Sequence, residues 1–329
     1  MLGKVLLGLA LALLLVPAAH AASFDCTRAR TPFAQAICTH PDLSKADDTL
    51  AATFKAALDG LSAPAAAEVS ADHDAWVRYA NIACTDDAKL ATRPYDTVGL
   101  NCLRNLFTDR TVWLKNSRTL GGLRFYYVDH YEALRTGLPK PDGVATKSVS
   151  TPRIDANTPE AAAFNLFVSG LPDLMPDSGN TYANDSDSSS LVVTGVVPAR
   201  ITMKLDNYLH PNRAAHGRTA VTYVHYLRDS NRRLVAGDVF SGNGWQQKLK
   251  TIVLAAAKKA EGGDSLMDDA DVVGDSIVDP ARWDFSKAGL IVQFEPYEIA
   301  PYAAGAPTVT IPWADIAPLL AHDAGVLEQ

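Results

Sequence analysis

From Ser23 to about Ser117, apolar residues recur at helical spacing. Thr31-Pro32 sets an N-cap ahead of a proline at the first helical position and opens a short helix holding Ile37 and Cys38. A longer helix is predicted from about Asp42 to Leu61. There Leu43, Leu50 and Ala57 form a heptad row, and Ala46, Phe54 and Leu61 widen it into one apolar stripe. Ser62-Ala63-Pro64 ends that helix. The next, near Glu68 to Ala83, carries Trp76 and Ala80 toward Cys84, and a last one carries Cys102, Leu103, Leu106, Arg110, Trp113 and Leu114. Residues 22–117 therefore read as an all-α bundle of antiparallel helices.

From 118 to 154 the pattern loosens and predicts a linker. Gly121-Gly122 and the run Leu138-Pro139-Lys140-Pro141-Asp142-Gly143 are turn signals, and Phe125-Tyr126-Tyr127 with Tyr131 is an aromatic cluster able to pack on a neighbouring domain. Residues 155–329 switch to a mixed period. Thr158-Pro159-Glu160 opens a helix through Phe164 and Val168, and Asn184 to Ser190 reads as a polar, Ser-rich loop. Strands are predicted at Leu191–Val197, Arg200–Asp206 and Thr219–Leu227, then a hairpin through Asp229-Ser230-Asn231 into Leu234–Phe240. A helix from Trp245 to Ala260 follows, then strands at Leu290–Phe294 and Thr308–Pro312 and a closing helix with Ile316, Leu319 and Leu320. This half reads as an α+β domain with an antiparallel sheet.

The first 21 residues stand apart. Lys4 precedes an apolar run from Val5 to Val16, Pro17 breaks it, and Ala19-His20-Ala21 offers small residues for cleavage, as in a secretory signal peptide. Such a run reaches only about 18 Å as a helix, short of a bilayer. Cys26 lies outside any lipobox, so the expected product is periplasmic or secreted, without membrane insertion after cleavage. The 329 residues are 47% hydrophobic and carry a formal charge of −7, with no basic block, which argues against nucleic acid and favours a basic partner. The four cysteines, Cys26, Cys38, Cys84 and Cys102, all lie in the first third. In an exported chain they read as two disulfides, and their spacing fits no zinc motif. Of three possible pairings, Cys26–Cys38 with Cys84–Cys102 closes the shortest loops, each worth roughly 3 kcal/mol.

Residues 23–117 resemble the domain of LprI-type lysozyme inhibitors. The likeness lies in Ser23-Phe24-Asp25-Cys26, Thr31-Pro32 leading to Ala36-Ile37-Cys38, Leu43 to Leu58, Trp76 ahead of Cys84, and Cys102-Leu103 ahead of Arg110. One departure is Ala80-Asn81, where that family often has Arg-Asp or Arg-Asn. The later half is similar to the C-terminal envelope domain of RsiV-type anti-sigma factors. The matching stretches are Asn207-Tyr208, Ala214-Ala215-His216-Gly217, Val221-Thr222-Tyr223, Asp238-Val239-Phe240, and above all Phe285 to Pro312 with its Phe294-Glu295-Pro296-Tyr297-Glu298-Ile299-Ala300-Pro301-Tyr302. That resemblance implies a lysozyme-binding surface. It carries over neither sigma-factor control nor the deacetylase activity of some relatives, since no segment for either is present.

No Gly-x-Ser-x-Gly elbow, His-Glu-x-x-His motif or phosphate-cradling loop occurs, so no catalytic residue, metal or cofactor is assigned. His210, His216 and His225 share one strand-rich stretch without a ligand-like spacing. Asp268-Asp269-Ala270-Asp271 begins like a calcium loop, but Val273 and Pro280 fall where that frame needs oxygen ligands. The segment Glu295 to Pro307 is the favoured partner-binding element. Tyr297 and Tyr302 are amphipathic anchors, Pro296, Pro301 and Pro307 limit the freedom lost on binding, and Glu295 and Glu298 supply negative charge. His216, in its Ala-His-Gly turn, joins them as a candidate. The leading expectation is a non-enzymatic protein that binds, and inhibits, a basic lysozyme-type muramidase. A peptidoglycan or carbohydrate module using the same tyrosines, and an unrecognised cell-wall hydrolase, are the alternatives.

Overall fold

The computed structural model describes residues 22–140, 142–171, 184–260 and 270–322. The signal peptide expected at 1–21 and Asp268-Asp269 of the acidic loop lie outside them. Four helices form the N-terminal bundle: α1 (Pro32–Thr39), α2 (Pro41–Leu58), α3 (Ala63–Ala83) and α4 (Thr97–Leu114). Thr31 and Ser62 cap α1 and α3 by accepting from the N–H of Ala34 and Ala65, and both of these helices have a proline in the first turn. Helix α2 stops at Leu58, before the predicted Leu61, where Asp59 leaves the helical region and Gly60 takes φ +71°. Helix α3 begins five residues earlier than the pattern suggested, because the Ser62 cap and Pro64 start it. Disulfides join Cys26 to Cys38 and Cys84 to Cys102, the local pairing. The bundle core holds Ile37, Leu43, Leu50, Trp76, Ala80, Leu103, Phe107 and Leu114. At Ala80 the departure from the family pattern is a fully buried methyl group.

Residues 118–154 are not a linker. They form β1 (Thr119–Leu120), β2 (Leu123–Arg135) and β3 (Val144–Ile154), the first three strands of a seven-stranded sheet. Alternation fails in β2 because protein covers both of its faces: Phe125 packs on α5 (Pro159–Ser169), while Tyr126 packs with Val69 of α3. Alternation is also obscured in β3, whose buried positions include Lys147 and Ser150. The hairpin of these two strands is closed beside the Pro- and Gly-rich run by Thr136 N–H donating to the Gly143 carbonyl at 3.1 Å.

The sheet continues through β4 (Ser186–Val196), β5 (Arg200–His210), β6 (Arg218–Leu227) and the short β7 (Arg232–Arg233) in sequential order. All pairs are antiparallel except β3 with β4, which run parallel. The Ser-rich segment read as a loop is mostly β4, with only Asn184-Asp185 ahead of it. Beyond β7, Leu234–Phe240 is not a strand. Leu234, Val239 and Phe240 turn inward around a short 3-10 segment and enter the next core. That core joins α6 (Trp245–Ala260) and α7 (Ala270–Ile277) to a second sheet, β8 (Trp283–Ser286), β9 (Gly289–Gln293) and β10 (Thr308–Pro312), followed by α8 (Trp313–Ile316). Gly289 is required where it stands. A Cβ there would lie 1.9 Å from the Ile311 carbonyl oxygen on the paired strand.

Polar contacts seat the bundle on the sheet. Tyr126 donates to Glu68 at 2.8 Å, the Asp129 N–H donates to Asp72 at 2.9 Å, and Arg124 donates to the Ala57 and Asp59 carbonyls. Arg110, the family-like arginine of α4, forms an ion pair with Asp129 of β2 and donates to the Tyr131 hydroxyl, with both charged side chains almost fully buried. Asp72 caps an edge N–H of β2 beyond the end of β1, and burial lifts its carboxyl to about 6.

Candidate functional site

Beyond β7, the first half of β6 is also a free edge, and the favoured segment lies against it. Glu295 Oε1 accepts from the Val221 N–H at 3.3 Å, closing this edge as Asp72 closes the other. Tyr302 donates to the Gly217 carbonyl at 2.8 Å, tying the segment to the turn between β5 and β6. His216 in that turn lies 4.8 Å from the Tyr302 ring, and Tyr297 lies 5.4 Å from the same ring on its own segment. His216, Glu295, Tyr297 and Tyr302 thus line one groove of about 450 Å³, with Leu209 of β5 and Ala220 of β6 on its apolar wall.

The candidates divide by what holds them. Tyr297 is 55% exposed and sits at φ +74°, a conformation costly for a bulky side chain and fixed by a turn in which its N–H donates to the Ala300 carbonyl. Phe294, Ile299 and Ala300 anchor the segment in the core on either side of it. Tyr302 is a half-buried wall and His216 an exposed one. Glu298 does not face the groove. Its carboxylate takes both guanidinium nitrogens of Arg282, at 3.0 and 3.3 Å, and accepts from the Glu295 N–H at 2.6 Å. Its role is to brace the turn, because a half-buried carboxylate needs those partners. Glu295 is shared between the Val221 N–H and Arg282, and burial raises its carboxyl above the usual range while Arg282 opposes the shift.

Arg282 and Asn207 were missed as site residues. Arg282 lies 13 residues before Glu295 with no local signal, and only the packing of the 3-10 segment Pro280–Arg282 against β6 brings it near. Asn207, inside a family-like stretch, lines the groove with a buried Oδ1 that has no hydrogen-bond partner. The three histidines do not converge. His225 is buried between the Thr202 hydroxyl at 3.2 Å and the Trp283 carbonyl at 2.8 Å, and His210 stacks on Tyr208. Among the described residues, no group of three or more His, Cys, Asp or Glu side chains is placed to hold a metal ion. No helix among them is long and apolar enough to cross a membrane.

Comparison with known proteins matches each end of the chain separately. Residues 26–114 match the family described as Lysozyme inhibitor LprI, and residues 237–314 match the Protein of unknown function family DUF3298. A DUF3298-family crystal structure from Bacteroides fragilis is 15% identical, covering 62% of this chain and 95% of its own, with a TM-score of 0.44. One from Pseudomonas aeruginosa is 17% identical, covering 61% and 96%, also at 0.44. No curated protein matches the chain. The chain therefore joins an LprI-like, disulfide-bonded helical region at its N-terminal end to a DUF3298-like region at its C-terminal end.

Proposed function

We propose that this is an exported, non-enzymatic envelope protein that binds and inhibits a basic lysozyme-type muramidase. The likeness of residues 26–114 to the lysozyme inhibitor family carries the reading. Two disulfides suit an oxidising compartment such as the periplasm, reached through a signal peptide at residues 1–21. The formal charge of −7 suits a basic partner. The later half acts as an RsiV-type lysozyme-contacting domain. Its groove offers the contact: a rigidly held, exposed Tyr297 beside Tyr302 and His216, at low cost in rotamer freedom. Inhibition is steric, with the Tyr297 turn entering the enzyme's cleft.

The test is a muramidase assay on cell-wall substrate with mature wild type and with Tyr297→Ala/Tyr302→Ala. Wild type lowers the rate at about micromolar concentration, and the double variant needs at least about tenfold more. A rate untouched by wild type overturns the reading. Equal potency of the variant overturns the placement in the groove.

A further inference from the structure

A second concavity lies between the bundle and the sheet, away from the Tyr297 groove. Its volume is about 420 Å³, within the roughly 300–1,000 Å³ of small-molecule sites. Its floor follows from strand register. Tyr131 of β2 pairs with Ser148 of β3, Ser148 with Ser188 of β4, and Ser188 with Tyr208 of β5. One row across four neighbouring strands thus reads aromatic, hydroxyl, hydroxyl, aromatic. Helix α4 supplies the facing wall with Arg110 and Trp113.

Two features of this cleft are costly for folding alone. A strand flanked on both sides usually carries β-branched or aromatic residues, yet β4 begins Ser186-Asp187-Ser188-Ser189-Ser190. One polar atom of its lining is also buried without a partner: Arg110, whose side chain is 1% exposed, leaves its Nε–H unmatched. Its charge is already balanced by Asp129. Asp109 lines the cleft too, and burial raises its carboxyl above the usual carboxylate range. What the cleft lacks is an acceptor for Arg110 that brings no charge, since a second anion beside Asp129 would be repelled. A neutral group bearing hydroxyls or an amide supplies that acceptor and can bond the Ser148 and Ser188 hydroxyls, and its C–H face can lie on Tyr131 or Trp113.

We propose that this cleft is a saccharide site, taking a neutral sugar of one or two rings with hydroxyl and amide groups. The proposal stands independently of muramidase binding. The test is calorimetric titration of the mature full chain with N,N′-diacetylchitobiose, and with its deacetylated, cationic counterpart. The acetylated sugar binds with a dissociation constant between about ten micromolar and a few millimolar, and the cationic one more weakly. Ser148→Ala/Ser188→Ala, which removes only two hydroxyls, weakens binding by about tenfold or more while its thermal unfolding stays that of wild type. If that variant unfolds early, Ser188→Thr, which restores a hydroxyl and crowds the floor, weakens binding in its place. No heat with either sugar, tighter binding of the cationic one, or undiminished binding by a folded variant overturns the site.

Discussion

Acid sensitivity should trace to His225. The ring joins the two sheets: Nδ1 accepts from Thr202 Oγ1, which itself accepts from Arg200 Nε at 3.0 Å, and Nε2–H donates to the Trp283 carbonyl. This chain requires the neutral tautomer. A proton on Nδ1 would face the Thr202 hydroxyl and a nearby guanidinium inside a site 1% exposed. Burial first, and Arg200 second, pull the ring down to about 3. The unfolded chain titrates near 6.5. A lowered folded pKa means the unfolded state takes up the proton first, so stability is lost as pH falls from about 6.5 toward 3. Between about pH 7 and pH 5, linkage sets that loss at roughly 2 kcal/mol. His73, lowered to about 4 by burial, acts in the same direction, while Asp72, raised to about 6, acts in the opposite one. Both are part-exposed neighbours whose contributions, discounted for screening, nearly cancel. Comparing wild type with His225→Gln removes everything the two proteins share. The assay is urea unfolding followed by tryptophan fluorescence, which includes the buried Trp283. The wild-type advantage at pH 7 should shrink by roughly 2 kcal/mol at pH 5. An advantage that does not change with pH would refute the assignment.

Arg110→Ala leaves Asp129 buried without its counter-ion and should cost about 3–5 kcal/mol, read as a lowered urea midpoint. Gly289→Ala should be at least as damaging, because the new methyl group meets the β10 backbone, and reduced soluble yield with lost near-UV dichroism would report it. Replacing Cys84 and Cys102 together by serine should cost about 2–4 kcal/mol in thermal unfolding and leave the Cys26–Cys38 bond intact by mass mapping. Tyr297→Gly should raise stability by about 1 kcal/mol, since glycine tolerates φ +74°, while weakening partner binding. A variant that gains neither stability nor loses binding would show that the strained tyrosine serves no contact.

The helices were legible because their signals are local. Thr31-Pro32, Ser62 and the Leu43-Leu50-Ala57 row act within a turn or two, and the cysteines lay close enough for the local pairing to be favoured. The sheet's first strands were not legible. Tyr126 and Phe125 are both buried, on opposite elements, so β2 loses its alternation, and Lys147, Ser150 and Asp187 bring polar character into β3 and β4. Polar side chains at buried sheet positions look like loop until their partners are known. Part of the groove was visible in Glu295, Tyr297, Tyr302 and His216 because aromatic, Pro-punctuated segments suit binding. The opposite fates of Tyr297 and Glu298 depended on Arg282, which only tertiary packing brings near.

Calorimetric titration of a basic lysozyme-type muramidase into the mature chain, at low and at moderate salt, tests the central claim most directly. Saturable one-to-one binding with a dissociation constant at or below about one micromolar, weaker at higher salt, is expected. Absence of binding at both salt concentrations would contradict the account.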